Sequence, residues 1–257
     1  MHPAPAFPHQ AGCYVISLRP SGAHDALRHA ANRMRMRMFA LSPWRIVQRD
    51  DDATRAALHA ALNADLVVFT SPPAVAATHV LQPLVARDDQ AWLAVGAGTA
   101  RALARAGVAN VQAPLRMDSE GLLALPALRE VAGRSVGLVT APGGRGVIAD
   151  ALRGAGARVH RADVYMRVPT PPSPTRIAQL MALPGPWVLP LSSGEALQRT
   201  LDALPAEAIA RLREARVLAA SDRLADFARD AGFPDVVRAA DARPASLLAA
   251  AAPSQGA

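Results

Sequence analysis

The chain carries the same short pattern of residues twice, at a nearly constant spacing. Each copy has an apolar run, then a turn of small residues, then a helical stretch. Thr70-Ser71 returns as Ser192-Ser193, a shift of 122 positions, and Gly96 returns as Ser221, a shift of 125. The glycine turns that repeat are Leu18–Gly22 and Thr140–Gly144. Two such copies predict two similar α/β halves with a cleft between them.

Short apolar runs alternate with helical stretches along the whole chain. This alternation is typical of a parallel sheet that helices cover on both faces. About five strands per half predict doubly wound, flavodoxin-like sheets, whose ligands bind beyond the carboxyl ends of the strands. Three less regular stretches are interpreted as a helix over His24–Arg37, a strand over Val108–Gln112 and a helix over Ser119–Val131.

The composition favours an acidic partner. The chain has 257 residues, of which 51% are apolar, so it can form two domains with their own cores. Its formal net charge of +7 gives a surface that attracts anions. Because the basic residues are scattered, an acidic small molecule is favoured over nucleic acid, which stays an alternative.

Metal, disulfide and membrane chemistry find no support in the sequence. Cys13 is the one cysteine, and the seven histidines lack the spacing of metal ligands. We therefore expect neither a metal nor a cofactor. Met1–Gln10 lacks the pattern of a signal peptide, and no uncharged apolar run reaches the ~18–20 residues that cross a bilayer. We expect a cytoplasmic protein.

Hydroxyl residues follow two of the apolar runs and allow two interpretations. Thr70-Ser71 and Ser192-Ser193-Gly194 lie where a strand should end and a helix begin. Serine and threonine cap helices at such positions. The same hydroxyls, together with free N–H groups at a helix start, can bind an anion. Both roles can coexist in one residue.

Two glycine-rich turns resemble nucleotide-binding motifs without completing them. Gly96-Ala97-Gly98-Thr99 begins like a dinucleotide fingerprint, but Arg101 takes the place of the third glycine. Pro142–Gly146 lacks the Gly-Lys-Ser/Thr ending of a phosphate loop. It can form a nest of amides for a carboxylate with Arg145 beside it, or a plain tight turn with a solvated arginine.

Tyr165-Met166-Arg167 ends a predicted strand just before the proline-rich segment 169–174. A tyrosine in such a place can pack against its neighbours. Alternatively, its phenol can point into the cleft and donate a proton. Residues alone leave both interpretations open and do not name a reaction.

Taken in order, the motifs resemble those of the uroporphyrinogen-III synthase family over residues 14 to 250. The segments that carry the resemblance are Leu18-Arg19-Pro20, Leu41-Ser42-Pro43, Val68–Pro72, Val95–Ala100, Gly121-Leu122-Leu123, Gly143-Gly144-Arg145, Val164–Arg167, Ser192–Glu195 and Ser221–Ala225. The resemblance implies two flavodoxin-like domains joined by a two-stranded linker. One domain would comprise residues 1–41 plus 170–257 and the other residues 49–163, with linker strands at 42–48 and 164–169. Each half of the repeat would then contribute strands to both domains.

The same resemblance implies an activity. The family converts hydroxymethylbilane, a linear tetrapyrrole, to uroporphyrinogen III by inverting ring D, closing the macrocycle and losing water. The implied path passes through an azafulvene and a spiro-pyrrolenine, without metal or cofactor, in a monomer. The substrate carries an acetate and a propionate on every pyrrole, which suits an anion-binding protein. A non-catalytic two-lobed protein that binds an anionic small molecule is the alternative.

The resemblance also assigns roles to residues. Tyr165 matches the family's tyrosine that helps protonate the departing hydroxyl. The implied substrate-binding residues are Arg19, Thr70, Ser71, Gly96, Thr99, Gly144, Arg145, Ser192, Ser193, Gly194 and Ser221. The chain departs from the family at Thr140, where many relatives have arginine, at Pro73, where asparagine is common, and at Met34–Met38, where a turn with glycine is usual.

Overall fold

A computed structural model describes residues 12–116, 119–143 and 146–251. Its contacts divide the chain into two compact units. Unit 1 comprises Met1–Arg45 and Pro169–Ala257, and unit 2 comprises Ile46–Val168. Unit 1 is therefore built from both ends of the chain and unit 2 from its middle.

Strands and helices alternate through the described residues. The strands are β1 Tyr14–Ser17, β2 Arg37–Ala40, β3 Trp44–Gln48, β4 Leu66–Phe69, β5 Ala91–Ala94, β6 Ser135–Thr140, β7 Arg158–Asp163, β8 Tyr165–Pro169, β9 Trp187–Leu191, β10 Arg216–Ala219 and β11 Val236–Arg238. The helices are α1 Asp25–Arg33, α2 Asp52–Leu62, α3 Pro72–Leu81, α4 Ala97–Arg105, α5 Ser119–Leu123, α6 Val147–Gly154, α7 Pro174–Met181, α8 Gly194–Ala203, α9 Ala206–Arg213, α10 Asp222–Asp230 and α11 Pro244–Ala249.

Unit 1 contains a five-stranded parallel sheet in the order β11-β10-β9-β1-β2. Counted along the chain, this is the flavodoxin-like order 2-1-3-4-5. Helices α1 and α11 cover one face, where Leu27 and Leu247 pack with Val15 of β1. The neighbouring residue Ile16, whose side chain points to the opposite face, is also fully buried. The predicted doubly wound sheet is confirmed in this unit.

Unit 2 repeats this arrangement with four strands in the order β5-β4-β6-β7, all parallel. An isolated parallel bridge joins Leu93 of β5 to Gln112 at the outer edge. The strands β5, β4, β6 and β7 correspond to β10, β9, β1 and β2 under the offset of the sequence repeat. Each sheet therefore takes strands from both halves of the repeat, as the resemblance implies.

Both faces of the sheet in unit 2 are buried at its central strand β4, whose four residues are all apolar. Val67 and Phe69 of β4 pack with α2, α3 and α4, and Phe69 stacks on Trp92 with ring centroids 5.7 Å apart. Leu66 and Val68, which alternate with them, pack with α5 and α6 on the other face. The sheet is thus held rigidly, and the turns at its carboxyl edge have a fixed base.

Strands β3 and β8 pair with each other outside the two larger sheets. The amide of Arg49 donates to the carbonyl of Val164 at one end, and the amide of Thr170 donates to the carbonyl of Pro43 at the other. These two bonds require the strands to run in opposite directions. The chain passes from one unit to the other along this pair of strands.

Three of the predicted elements are wrong in extent. The helix predicted over His24–Arg37 ends at Arg33, because Arg35 adopts a left-handed conformation (φ 55°) and Arg37 begins a strand beside β1. The strand predicted over Val108–Gln112 is reduced to one bridge, and Asn110 is left-handed within it (φ 55°). The helix predicted over Ser119–Val131 stops at Leu123, and a short 3-10 turn over Pro126–Leu128 follows. Proline has no N–H to continue the α-helix.

None of the helices in the described ranges is long and apolar enough to span a bilayer.

Candidate active site

The predicted site residues of unit 2 lie at the carboxyl ends of its two central strands. Thr70 and Ser71 follow β4, and Thr140 ends β6. The chain leaves β4 toward β5 and leaves β6 toward β7, so the sheet changes its winding direction between these two strands. Ligands of doubly wound sheets bind at such a switch point.

A hydrogen bond between two threonines spans this switch point. The Thr70 hydroxyl donates to Oγ1 of Thr140 over 2.8 Å, and the Thr70 amide donates to the carbonyl of Val139 over 3.2 Å. The family resemblance implies an arginine at the position of Thr140. In this chain the position therefore supplies a neutral hydroxyl that fixes its neighbour across the sheet.

Ser71 connects the start of α3 to a buried phenol. Its Oγ accepts the amide proton of Ala74 over 3.3 Å and caps the helix. The same Oγ lies 3.0 Å from the hydroxyl oxygen of Tyr165. The Tyr165 side chain is 2% exposed and belongs to the core beside α2 and α3, whereas Ser71 is half-buried. The ring of Tyr165 thus packs in the core, and its phenol is hydrogen-bonded to the less buried hydroxyl of Ser71.

The third strand end of unit 2 differs from the expectation. Gly96 lies at the turn after β5 in an extended conformation. Thr99, expected at a turn, is inside α4 and is 4% exposed, so its side chain packs within the unit. Gly144 and Arg145 lie outside the described residues.

The predicted site residues of unit 1 follow three neighbouring strands. Arg19 follows β1, Ser192-Ser193-Gly194 follows β9, and Ser221 follows β10. Ser193 and Ser221 cap α8 and α10 by accepting amide protons over 3.2 and 3.4 Å. Ser192 is exposed and makes no cap. After β9, therefore, Ser193 caps a helix, and the hydroxyl of its neighbour Ser192 is exposed.

Arg19 is a half-buried cation at the switch point of unit 1. Burial lowers the pKa of its guanidinium below the ordinary value, although arginine stays charged at neutral pH. Among the residues that the structure describes, no carboxylate pairs with it. A partly desolvated cation without a partner is an attractive position for an anionic group.

A metal ion has no evident place in the described part of the chain. No group of three or more His, Cys, Asp or Glu residues there is arranged to hold one. The chemistry that these sites offer consists of hydroxyls, backbone amides and guanidinium groups.

Comparison with known proteins decides the family. The family model for uroporphyrinogen-III synthase HemD matches residues 15–249. The chain belongs to the uroporphyrinogen-III synthase family. This match covers all the helices and strands given above for both units, apart from Tyr14, the first residue of β1.

Relatives in two bacteria support the assignment to the synthase family. The uroporphyrinogen-III synthase of Salmonella typhimurium is 33% identical over 194 residues, which cover 72% of this chain and 78% of the relative. The enzyme of the same name from Escherichia coli is 31% identical over the same length and coverage.

Solved structures of synthases share the fold. A mutant uroporphyrinogen III synthase from the extremely thermophilic bacterium Thermus thermophilus aligns with a TM-score of 0.60 at 21% identity and covers 92% of this chain and 96% of that chain. The Helicobacter pylori protein aligns with the same score at 13% identity, covering 93% and 97%. At these identities the likeness concerns the fold alone.

Sequence reasoning about this synthase missed a buried histidine in unit 1. Nδ1 of His24 lies 2.8 Å from the Ser17 hydroxyl, and Nε2 lies 2.8 Å from the Ser42 hydroxyl. The three residues are 7 and 18 positions apart in the sequence, so no local motif reveals them. Ser42 carried a signal, since Leu41-Ser42-Pro43 was among the segments of the family resemblance.

Proposed function

We propose that this chain catalyses the cyclisation of hydroxymethylbilane to uroporphyrinogen III with inversion of ring D and loss of water. The family assignment supports this reaction. The structural observation that carries our assignment of the chemistry is the 3.0 Å contact between the hydroxyls of Ser71 and Tyr165 at the carboxyl end of β4. It couples a proton source to a half-buried group beside the switch point.

In this proposal Ser71 and Tyr165 act together as the acid. The Ser71 oxygen has two lone pairs. One accepts the Ala74 amide proton. We assign the phenol as the donor of the 3.0 Å bond, so that the other lone pair accepts its proton and the Ser71 proton is directed away from both. The Ser71 proton passes to the hydroxyl that leaves the bilane, and the Tyr165 proton replaces it on Ser71.

The proton balance closes within the reaction. The carbon–oxygen bond of the hydroxymethyl group breaks and the protonated hydroxyl leaves as water. Ring D then attacks the carbon that has lost it, through the ring carbon that already carries the bridge to ring C, and a spiro-pyrrolenine forms. The bond from that ring carbon to the ring C bridge breaks, and the bridge bonds again to the free α carbon of ring D, which inverts the ring. When the closed macrocycle regains its pyrrole aromaticity it releases a proton, which returns through Ser71 to the Tyr165 phenolate. General acid catalysis of this kind contributes about 10²- to 10⁴-fold in rate.

The remaining predicted residues are proposed to hold the substrate. Its acetates and propionates are acceptors that suit hydroxyls, amides and guanidinium groups. Arg19 offers the charge, and Thr70, Ser192 and the turn at Gly96 offer neutral donors at strand ends. Many such contacts fold a flexible polyanion into one geometry, and proximity then lowers the barrier to ring closure.

The isomer of the product tests the function. The purified full chain, given freshly generated hydroxymethylbilane, should yield mostly the type III isomer, which chromatography separates from type I. A product no different from spontaneous closure to type I would overturn the proposal. Tight binding of uroporphyrinogen III without turnover would instead identify a non-catalytic binding protein.

We also propose that the chain works as a cytoplasmic monomer without metal or cofactor, with the domain and linker boundaries that the resemblance implies. Light scattering should give the mass of one chain, 26.9 kDa. Exhaustive dialysis against a chelator should leave the rate of type III formation unchanged. A rate that falls and recovers only on adding back a metal would contradict this part of the proposal.

A further inference from the structure

Unit 1 contains a pocket that the site above does not use; most of its lining surface is apolar, and a few polar side chains face it. It has a volume of about 450 Å³ and lies between the start of α1 and the start of α7. Its lining residues include Ser21, His24, Ser42, Ser173 and Arg176, and none of the described lining residues is acidic. A pocket with hydroxyls, one guanidinium and no carboxylate favours a ligand that accepts hydrogen bonds and carries negative charge.

The hydrogen bonds of His24 determine which way the Ser42 hydroxyl points. Ser17 is fully buried, and among the described residues its hydroxyl has one hydrogen-bond partner, Nδ1 of His24. If Nδ1 carried the proton, the Ser17 hydroxyl would have to accept, and its own proton would be buried without an acceptor. A buried donor without an acceptor is unfavourable. Ser17 therefore donates to Nδ1, and the ring proton is on Nε2.

The Nε2 proton is donated to Ser42, which leaves the Ser42 proton for another acceptor. Ser173 is in the same situation, because its oxygen accepts the amide proton of Arg176 over 3.2 Å at the start of α7. Both residues line the pocket, and the oxygen atom of each hydroxyl accepts a hydrogen bond from the protein itself. Each can therefore present a donor to a ligand.

Arg176 is held rigidly beside these hydroxyls. Its Nε and one terminal nitrogen donate to the carbonyl of Ala40 over 3.0 and 2.5 Å, and the other terminal nitrogen donates to Gln179 over 3.0 Å. The guanidinium also stacks on Phe39, with 3.7 Å from its central carbon to the ring centroid. Three of its five N–H groups are thus engaged, and two can still donate.

The electrostatic surroundings of the pocket are positive. Burial lowers the pKa of His24, and Arg28, Arg19 and Arg176 lower it further, against a smaller opposing effect of Asp25. His24 is therefore neutral at pH 7, and Asp25, which is not among the described lining residues of the pocket, offsets the nearby cations only in part.

We propose that this pocket of unit 1 binds a carboxylate group through the Ser42 and Ser173 hydroxyls and the Arg176 guanidinium. Two sources supply such a group, a side-chain carboxylate of the tetrapyrrole or a free organic acid. The first rests on the proposed function, and the second does not.

Binding of a simple carboxylate is measured first, with sodium succinate as the probe and the full chain labelled with nitrogen-15. Saturable shifts of the Gly22, His24 and Ser42 amide signals are expected, and sodium chloride at equal ionic strength should not reproduce them. Arg176→Gln should weaken succinate binding at least fivefold. Arg33→Gln, at the exposed far end of α1, removes the same charge and should leave the affinity unchanged.

Two further measurements keep the proposal testable if Arg176→Gln loses its fold with the Ala40 contact. Ser42→Ala removes one donor without touching Arg176 and should weaken succinate binding at least threefold. The nitrogen-15 shifts of the His24 ring should report a proton on Nε2. A proton on Nδ1, or succinate affinity equal to wild type in Ser42→Ala, would overturn the proposal.

Steady-state kinetics distinguishes the two sources of carboxylate. If the group belongs to the substrate, Ser42→Ala and Arg176→Gln should raise KM for hydroxymethylbilane at least threefold with kcat within twofold of wild type. If it belongs to a free acid, succinate should bind the wild type, and the KM of each of the two variants should equal that of the wild type. If succinate does not bind and neither variant changes KM, the pocket does not bind a carboxylate and the proposal is refuted. A wild-type chain that forms no type III isomer refutes the proposed function while the succinate measurement still stands.

Discussion

Ser71 is a helix cap and, through the same oxygen atom, the partner of a buried phenol. The two roles place different demands on a substitution. Capping needs an acceptor at this position, whereas the proton path needs a hydroxyl that can both accept and donate. Variants at this residue and at Tyr165 therefore separate stability from catalysis.

Tyr165→Phe should lower kcat at least ~10-fold, because it removes the proposed proton source while keeping the packed ring. Ser71→Ala should lower kcat by a similar factor and should also cost about 1 kcal/mol of stability through the lost cap. Ser71→Thr keeps the hydroxyl and should retain most of the activity. Rates of type III formation and thermal unfolding measure the two effects.

The matched control is Asp51→Ala. Asp51 caps α2 in the same unit by accepting the Thr54 amide proton over 2.8 Å, and it is no part of the proposed site. It should lose comparable stability with kcat unchanged. If Ser71→Ala keeps full kcat while Tyr165→Phe does not, the phenol acts without Ser71 and the relay is wrong.

His24 should make the stability of unit 1 depend on pH. Burial and the nearby Arg28, Arg19 and Arg176 lower its folded pKa below the unfolded value of about 6.5, and Asp25 opposes them only in part. Above pH 6.5 the ring is neutral in both states. As the pH falls below it, the unfolded chain binds a proton that the folded chain does not, so the free energy of unfolding decreases.

Urea unfolding between pH 5 and pH 8 measures this dependence. The free energy of unfolding of the wild type should decrease below pH 6.5. The His24→Gln variant should be less stable at every pH, but its free energy of unfolding should decrease less toward acid pH. His29→Gln, on the exposed surface of α1, is the control for loss of a histidine. An equal acid-side slope in wild type and His24→Gln would contradict the assignment.

At the scale of single elements, the apolar runs of the central strands were sufficient for prediction. The bounds of β4, β6 and β9 coincide with three largely apolar runs of the sequence, Leu66–Phe69, Ser135–Thr140 and Trp187–Leu191. Prediction failed where long-range pairing overrides local preference. Arginine favours helix, yet Arg37, predicted to end a helix, pairs with Tyr14 of β1 in a strand. That partner is distant in sequence, so no local window contains the information.

The contact between α2 and β6 depends on a glycine. A Cβ atom on Gly137 would lie 1.8 Å from the carbonyl oxygen of Ala61, which is backbone and cannot rotate away. Gly137→Ala should therefore push the helix from the sheet and cost more than about 2 kcal/mol. Urea unfolding of the full chain measures this cost.

Gly154→Ala is the control for the Gly137 substitution. Gly154 ends α6, and a Cβ there would meet nothing within 4 Å. Alanine has the better helix propensity, so this variant should be neutral or up to about 1 kcal/mol more stable. Equal unfolding free energies for the two variants would show that α2 and β6 can separate freely.

At the scale of the molecule, the repeat and the family resemblance together predicted two doubly wound parallel sheets. They also predicted the hydroxyls at the switch points, since Thr70 and Ser71 follow a clear strand. They could not predict the partners of those hydroxyls. Thr140 is 70 positions from Thr70 and Tyr165 is 94 from Ser71, and only the folded sheet brings them within 3.0 Å. The contacts of His24 could not be predicted either, because its partners Ser17 and Ser42 are 7 and 18 positions away in the sequence.

The division of the repeat between the two units predicts how fragments of the chain behave. A cut between the repeats, giving residues 1–134, keeps β1 with β2 and β4 with β5 but removes the central partners β9 and β6. Residues 46–168 keep all four strands of their sheet and every residue of the two cores packed on it. Two isolated strands are marginal in water, whereas a covered four-stranded sheet can be stable.

Fragment 46–168 should therefore unfold cooperatively on heating and give dispersed amide signals, and fragment 1–134, although longer, should do neither. A cooperative transition in fragment 1–134, or its absence in 46–168, would show that the sequence repeat and not the spatial unit is the folding unit.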